Sequence, residues 1–138
     1  MPDVPDKLEG AAHPTVLVAE DHDDTRFMLR VLLEQRGYRV VEAGDGLEAV
    51  EAARREPPDI VLMDVSLPAL DGLSATRQMR EVESLSALPI VAVSGHAAER
   101  DRTEALAAGC NAYLTKPIDF DRLNDILLRF APVYENAA

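Results

Sequence analysis

The chain predicts an α/β fold, a doubly wound parallel sheet of five strands alternating with five helices. Short β-branched apolar runs recur near residues 15–19, 38–42, 59–63, 89–94 and 112–115. They are almost continuously apolar instead of alternating, as strands covered on both faces of a parallel sheet must be. Between them the apolar spacing lengthens to three and four, the period of helices packed on one side. Strand and helix periods alternating in this way along a chain indicate βα units in an open sandwich.

Taken in order, residues 1–14 carry three prolines and little apolar pattern, and read as a flexible tail. The domain itself is expected over 15–131, with a short second tail over 132–138. Thr15 to Ala19 forms the first strand. The first helix follows, with Phe27, Met28, Val31 and Leu32 at spacings of three and four and Gly37 as its stop. After the strand near 38–42, Asp45 opens the second helix, and Glu48 three positions on resembles a capping box. The strand near 59–63 leads to a third helix from Gly72 to about Arg80. The strand near 89–94 leads to a fourth, Ala97 to Ala108, closed by Gly109. After the strand near 112–115, Asp119 caps a last helix with Phe120, Leu123, Ile126, Leu127 and Phe130 on its inner face.

The 138 residues suit one domain, and an apolar content of 47% supports a core. A formal charge of −11 argues against direct binding to nucleic acid or an anionic membrane, which rely on basic patches. A cationic ligand or a basic protein surface fits better. The single cysteine, Cys110, cannot close an internal disulfide and is expected in packing, so a reducing cytoplasm is the simplest compartment. The start of the chain lacks the basic and apolar segments of a signal peptide, and no apolar run approaches the roughly 20 residues that span a bilayer.

The informative residues stand where the strands end. Val16-Leu17-Val18-Ala19 runs into Glu20-Asp21, Ile60-Val61-Leu62-Met63 into Asp64, and Ile90-Val91-Ala92-Val93 into Ser94. Ala112-Tyr113-Leu114-Thr115 runs into Lys116-Pro117, and Lys116 is one of two lysines against twelve arginines. In open α/β sheets, ligands bind beyond the carboxyl ends of the strands. Each residue alone has a bland reading, as a solvated cap, a turn or an exposed cation, but the set in this order describes a site.

Glu20, Asp21 and Asp64 crowd three negative charges together. Two such charges about 4 Å apart repel by roughly 4 kcal/mol at an effective dielectric near 20. Oxygen ligands without a histidine and cysteine cluster select a hard cation, and Mg²⁺ (or Mn²⁺) accepts one or two carboxylates with waters and a phosphate oxygen. Asp64 is then a nucleophile able to form an acyl phosphate, with Lys116 and Ser94 placed to meet the phosphoryl oxygens. His13 and His22 show no ligand pattern.

Over about Thr15 to Phe130 the chain resembles the receiver domain of two-component response regulators. The matching segments are Val16–Asp21, Asp59–Asp64 with Leu67-Pro68 and Asp71-Gly72, Pro89–Ser94, and Thr115-Lys116-Pro117. The resemblance implies a flavodoxin-like sheet of strand order 2-1-3-4-5. It implies that Asp64 accepts a phosphoryl group from a sensor histidine kinase or a histidine phosphotransfer protein. Asp21, Asp64 and the backbone carbonyl of Ser66 would bind Mg²⁺, Glu20 would act through water, and Lys116 would pair with the phosphoryl group beside a cis Lys116–Pro117 bond. Ser94 and Tyr113 would form the switch, while Ser66 and His96 would tune phosphate lifetime. Two departures are mild: Glu20 stands where many relatives have aspartate, and Gly95 where alanine is common.

The function expected is a phosphorylation-activated signalling switch, not an enzyme with a turnover substrate, that acts by docking an output protein or by phosphorelay. A stand-alone regulator, monomeric or weakly dimeric, is the first expectation. The alternative is a receiver from a hybrid histidine kinase, which Gly95 to Arg102 and the following Ala-Ala-Gly resemble. A small phosphatase with an aspartyl-phosphate intermediate is disfavoured because Ser66 stands where its second acid belongs. An interaction module without phosphorylation is disfavoured because every reactive position is filled.

Overall fold

Each strand splits its side chains between two cores, and that division organises the molecule. The computed structural model describes residues 13–133. In chain order the elements are β1 Thr15–Ala19, α1 Asp23–Gln35, β2 Arg39–Ala43, α2 Gly46–Arg55, β3 Ile60–Asp64, α3 Gly72–Arg80, a 3-10 turn Glu83–Leu85, β4 Ile90–Ser94, α4 Glu99–Ala108, β5 Ala112–Thr115 and α5 Phe120–Phe130. All strand pairs are parallel, in the order β2-β1-β3-β4-β5. That is the expected doubly wound sheet.

Successive side chains of a strand point to opposite faces. Leu17, Ala19, Val61, Met63, Ile90, Ala92 and Tyr113 therefore pack on one side, against Ala49 and Ala53 of α2, Ala75 and Met79 of α3, and Ala105 of α4. Val16, Val18, Ile60, Leu62, Val91, Val93 and Leu114 pack on the other, against Leu29 and Leu33 of α1 and Leu123 and Leu127 of α5. The same alternation continues to the strand ends. Glu20, Asp64 and Lys116 inherit the parity of the α1–α5 side, and Ser94 inherits that of Tyr113.

The helix boundaries follow local chemistry. Asp45 caps α2 by accepting from the Glu48 amide at 2.8 Å. The Glu48 carboxylate reaches back one residue further than a capping box requires, to the Gly44 amide at 2.7 Å. Asp71 and Asp119 cap α3 and α5 in the same way. Gly37 (φ +95°) and Gly109 (φ +116°) follow α1 and α4 in the left-handed conformation that glycine adopts at least cost.

Two expectations are corrected. The buried stripe of α1 is Leu29 and Leu33, whereas Phe27 and Met28 are exposed, at 65% and 44%. Apolar residues nearly encircle this helix, so spacing alone fits more than one face. Helix α4 begins at Glu99 and not at Ala97. Ala98 offers no capping oxygen, and Glu99 and Asp101 instead place negative charge on the first turn.

The expected tails 1–14 and 132–138 lie outside the described residues except at their inner ends. His13 Nδ1 is 2.7 Å from the Gly37 carbonyl, the Pro14 carbonyl accepts from the Arg39 amide, and Val133 packs on the α1–α5 core. No helix among the described residues is long and apolar enough to cross a membrane.

Candidate functional site

The carboxyl edge of the sheet gathers the charged residues. Strands β1 and β3 end side by side, and Lys116 follows β5 on the far side of β4, so Glu20, Asp64 and Lys116 are brought together from three separate parts of the chain. Glu20 and Asp64 are each 3% exposed. The Lys116 ammonium lies between them, donating to Asp64 Oδ2 at 2.8 Å and to Glu20 Oε1 at 3.5 Å. Burial alone would lower the Lys116 pKa; the hydrogen bond and charge of Asp64, then those of Glu20, outweigh it and raise it. Asp64 Oδ1 accepts from the Ser66 amide at 2.8 Å, which orients the carboxylate and turns the chain out of β3.

Two glycines let backbone close around Asp64. A Cβ on Gly72 would sit 2.1 Å from the Asp64 carbonyl oxygen, and one on Gly46 would sit 1.8 Å from that of Leu70. Helices α2 and α3 thus begin hard against the loop after β3. That loop contains a γ-turn, in which the Leu70 amide donates to the Pro68 carbonyl at 2.6 Å across Ala69, whose φ is +68°. A non-glycine residue in the left-handed region costs roughly 1–2 kcal/mol, a strain that must be held by its surroundings.

Asp21 and His22 complete the edge. One ligand atom each from Glu20, Asp21 and His22 lies within 4.8 Å of the other two. Asp64 stands outside that triple and meets Glu20 through Lys116. His22 Nδ1 is 2.9 Å from Glu20 Oε2 and 3.4 Å from Asp21 Oδ1. The hydrogen bond with Glu20, then the charge of Asp21, raises its pKa. Sequence pattern passed over this residue. The available signal was its place directly after an acidic pair, on the turn into a helix.

The donor set fits a hard divalent cation. Carboxylate oxygens of Asp21 and Asp64 and the carbonyl of the exposed Ser66 are available, with Glu20 behind them, and oxygens of this kind suit Mg²⁺. His22 is a borderline ligand at the rim. Among the described lysines and arginines, Lys116 relieves the acidic excess at this edge, beside Arg26, which is tied to Asp23 and Glu42.

On the other parity, Ser94 is 3% exposed and its Oγ accepts from the His96 amide at 3.1 Å. The His96 carbonyl in turn accepts from the Tyr113 hydroxyl at 2.5 Å. The backbone of one residue, His96, therefore bridges Ser94 and Tyr113 through its amide and its carbonyl. Tyr113 is 3% exposed, its ring facing the α2–α4 core with the Arg102 guanidinium 5.5 Å from its centroid. The His96 side chain is exposed, and the Lys116–Pro117 peptide bond is cis. Cys110 is buried against Thr76, whose Oγ1 is 3.8 Å from its sulfur.

Beside Lys116 a groove of about 270 Å³ is lined by Thr25, Met28, Lys116, Pro117, Ile118 and Phe120. It runs from the charged edge to the exposed Met28 of α1.

Comparison with known proteins matches this arrangement to one family. The family model for the response regulator receiver domain matches residues 16–128. The polar-differentiation response regulator DivK of Brucella ovis is 36% identical over 108 residues, covering 78% of this chain and 88% of that one. Among solved structures, the receiver domain of sensor histidine kinase PA1611 from Pseudomonas aeruginosa PAO1, with a magnesium ion coordinated in its active-site cleft, is 40% identical with a TM-score of 0.80. The match covers 86% of this chain and 98% of that one. The receiver domain of Saccharomyces cerevisiae Ssk1, crystallised with the histidine phosphotransfer protein Ypd1, is 28% identical with a TM-score of 0.81, covering 86% and 89%.

Proposed function

The chain belongs to the response regulator receiver family, and from that premise we propose that it is a phosphorylation-activated switch whose acceptor is Asp64. The observation that carries the reading is the Asp64 carboxylate, buried, oriented by the Ser66 amide and held 2.8 Å from the Lys116 ammonium. Two buried carboxylates share that one ammonium, with Asp21 beside them, an acidic excess that a divalent cation and a phosphoryl group together would use.

The donor is a phosphohistidine on a partner protein. An Asp64 carboxylate oxygen attacks phosphorus, the P–N bond breaks, and the imidazole leaves with the bonding pair and takes up a proton from solvent. The product is an acyl phosphate on Asp64. Asp21, Asp64 and the Ser66 carbonyl, with Glu20 behind, would hold Mg²⁺, which would supply charge neutralisation for the phosphoryl oxygens. Lys116 shifts from the free carboxylate to a phosphoryl oxygen, and Ser94 turns its hydroxyl to another. That turn frees the His96 amide, and the backbone of His96 carries the change to Tyr113. The exposed imidazole of His96, two residues after Ser94, is assigned the role of slowing hydrolysis. An unchanged phosphate lifetime in His96→Ala contradicts that last role.

The phosphohistidine partner docks over the groove beside Lys116. Met28, Ile118 and Phe120 supply an apolar contact next to the acceptor. Met28→Ala then slows transfer from a protein donor and leaves reaction with a small phosphodonor untouched.

Intact mass after incubation with a small-molecule phosphodonor tests the core of this reading. A Mg²⁺-dependent, base-labile phosphoryl adduct is expected on the wild type and not on Asp64→Asn. No adduct on a protein that binds Mg²⁺ overturns the reading in favour of a docking module.

A further inference from the structure

We propose that Arg26 is a positioning residue for the divalent-cation site, fixing the turn between β1 and α1 so that Glu20 and Asp21 present their carboxylates before a cation arrives. The inference rests on the cation-assisted acceptor chemistry assigned above and names a residue that this chemistry does not itself require.

The Arg26 side chain is 19% exposed, and each of its three nitrogens has a partner on a different piece of chain. Nη1 donates to the Glu20 backbone carbonyl at 2.8 Å, Nε to Glu42 Oε1 on β2 at 2.8 Å, and Nη2 to Asp23 Oδ1 in the first turn of α1 at 2.7 Å. The Glu20 amide is also held, donating to the Ala43 carbonyl of β2 at 3.0 Å. The Glu20 residue is therefore gripped at both ends of its backbone by β2, directly and through Arg26. Glu42 is anchored in turn by Arg30, and Arg30 by Glu34 at 3.0 Å. The brace continues along α1.

A planar guanidinium can hold three partners in one fixed geometry, and an ammonium on a flexible stem cannot. The alternative role for Arg26 is a counter-charge that merely relieves acidic repulsion. The two roles predict effects of opposite sign. Removing a positive charge beside the carboxylates strengthens their attraction for a dication. Removing a brace lets the turn relax and weakens binding, because a cation must then also order its ligands.

The test is calorimetric Mg²⁺ binding to the whole chain as wild type, Arg26→Gln and Arg26→Lys, with hydrogen exchange read at the amides of residues 20–24. Both variants are expected to bind Mg²⁺ roughly tenfold more weakly, the lower end of what losing an outer partner of a metal site costs. Exchange in that segment is expected to quicken, in Arg26→Lys as well, although its charge is retained. Binding as tight as wild type or tighter in either variant overturns the positioning role. So does a failure of Arg26→Lys to fold, which makes Arg26 a general structural residue. These results leave the acceptor reading intact if the wild type still gains its adduct at Asp64. A wild type that binds no Mg²⁺ overturns both.

Discussion

The two edges of the sheet handle polar groups in opposite ways. At the amino edge, loose polar groups are paired with neutral partners. Asn111 Oδ1 accepts from the Ile90 amide at 2.8 Å and from Arg80 Nη2 at 2.9 Å. Arg80 also donates to the carbonyls of Gly109 and Leu85, and Asp59 accepts from the Thr15 amide at 2.7 Å. At the carboxyl edge, Glu20, Asp21 and Asp64 share Lys116 and a rim histidine. One edge is built to be stable and the other to be reactive. Removing a polar side chain should destabilise the first and can stabilise the second.

The largest test of that contrast is Arg80→Ala. It removes both guanidinium donors to the Gly109 carbonyl at the end of α4 and one of two donors to the Asn111 side chain, and charge-assisted hydrogen bonds of this kind are each worth about 1.5–3 kcal/mol. A loss of about 2–3 kcal/mol in urea unfolding is expected, with the Mg²⁺ affinity unmoved; weakened Mg²⁺ binding contradicts the independence of the edges. Asn111→Ala leaves the buried Ile90 amide without its partner and should cost about 1–2 kcal/mol.

Asp64→Asn should act in the opposite direction. Relief of repulsion among the carboxylates is expected to stabilise the fold by on the order of 1 kcal/mol in the absence of Mg²⁺. The gain shrinks in saturating Mg²⁺, and equal gains in both conditions mean that the carboxylates are not coupled.

The smallest effect belongs to Glu42. Hydrogen bonds from Arg30 and then Arg26 hold its carboxyl below the ordinary range. A group whose pKa is depressed by folding stabilises above its unfolded value, about 4.3 for glutamate. That contribution is lost as pH falls through the folded value. The stability gap between wild type and Glu42→Gln should therefore be constant above about pH 4.3 and close below it. Partial exposure keeps it under about 1 kcal/mol. A gap unaffected by acid contradicts the depressed pKa.

Local patterns in the sequence carried most of the fold. Apolar runs located all five strands, and Asp45, Asp119, Gly37 and Gly109 marked helix ends because capping and positive φ are decided within a few residues. The register of α1 was not legible, since Phe27, Met28, Leu29, Val31, Leu32 and Leu33 satisfy more than one face. The charged residues of the site could be placed at strand ends, but their pairing could not. Lys116 meets Asp64 from 52 positions away, and Arg80 reaches Gly109 across 29. Such pairs depend on strand order. Arg26 and His22 stayed hidden for another reason: both act through short-range folding of a turn that spacing rules treat as a generic helix start.

The pleat of the sheet also acts as a partition. Asp64, Glu20 and Lys116 sit on the parity of the α1–α5 layer, while Ser94 and Tyr113 sit on that of α2–α4. A partner resting on α1 and α5 could therefore remain seated while events beyond the sheet change. The backbone of His96, at the open rim, ties Ser94 to Tyr113 within the α2–α4 compartment. Under the proposed switch, a donor on the α1–α5 face and an output protein on the α2–α4 face would be bound at once, because a wall of strands stands between them.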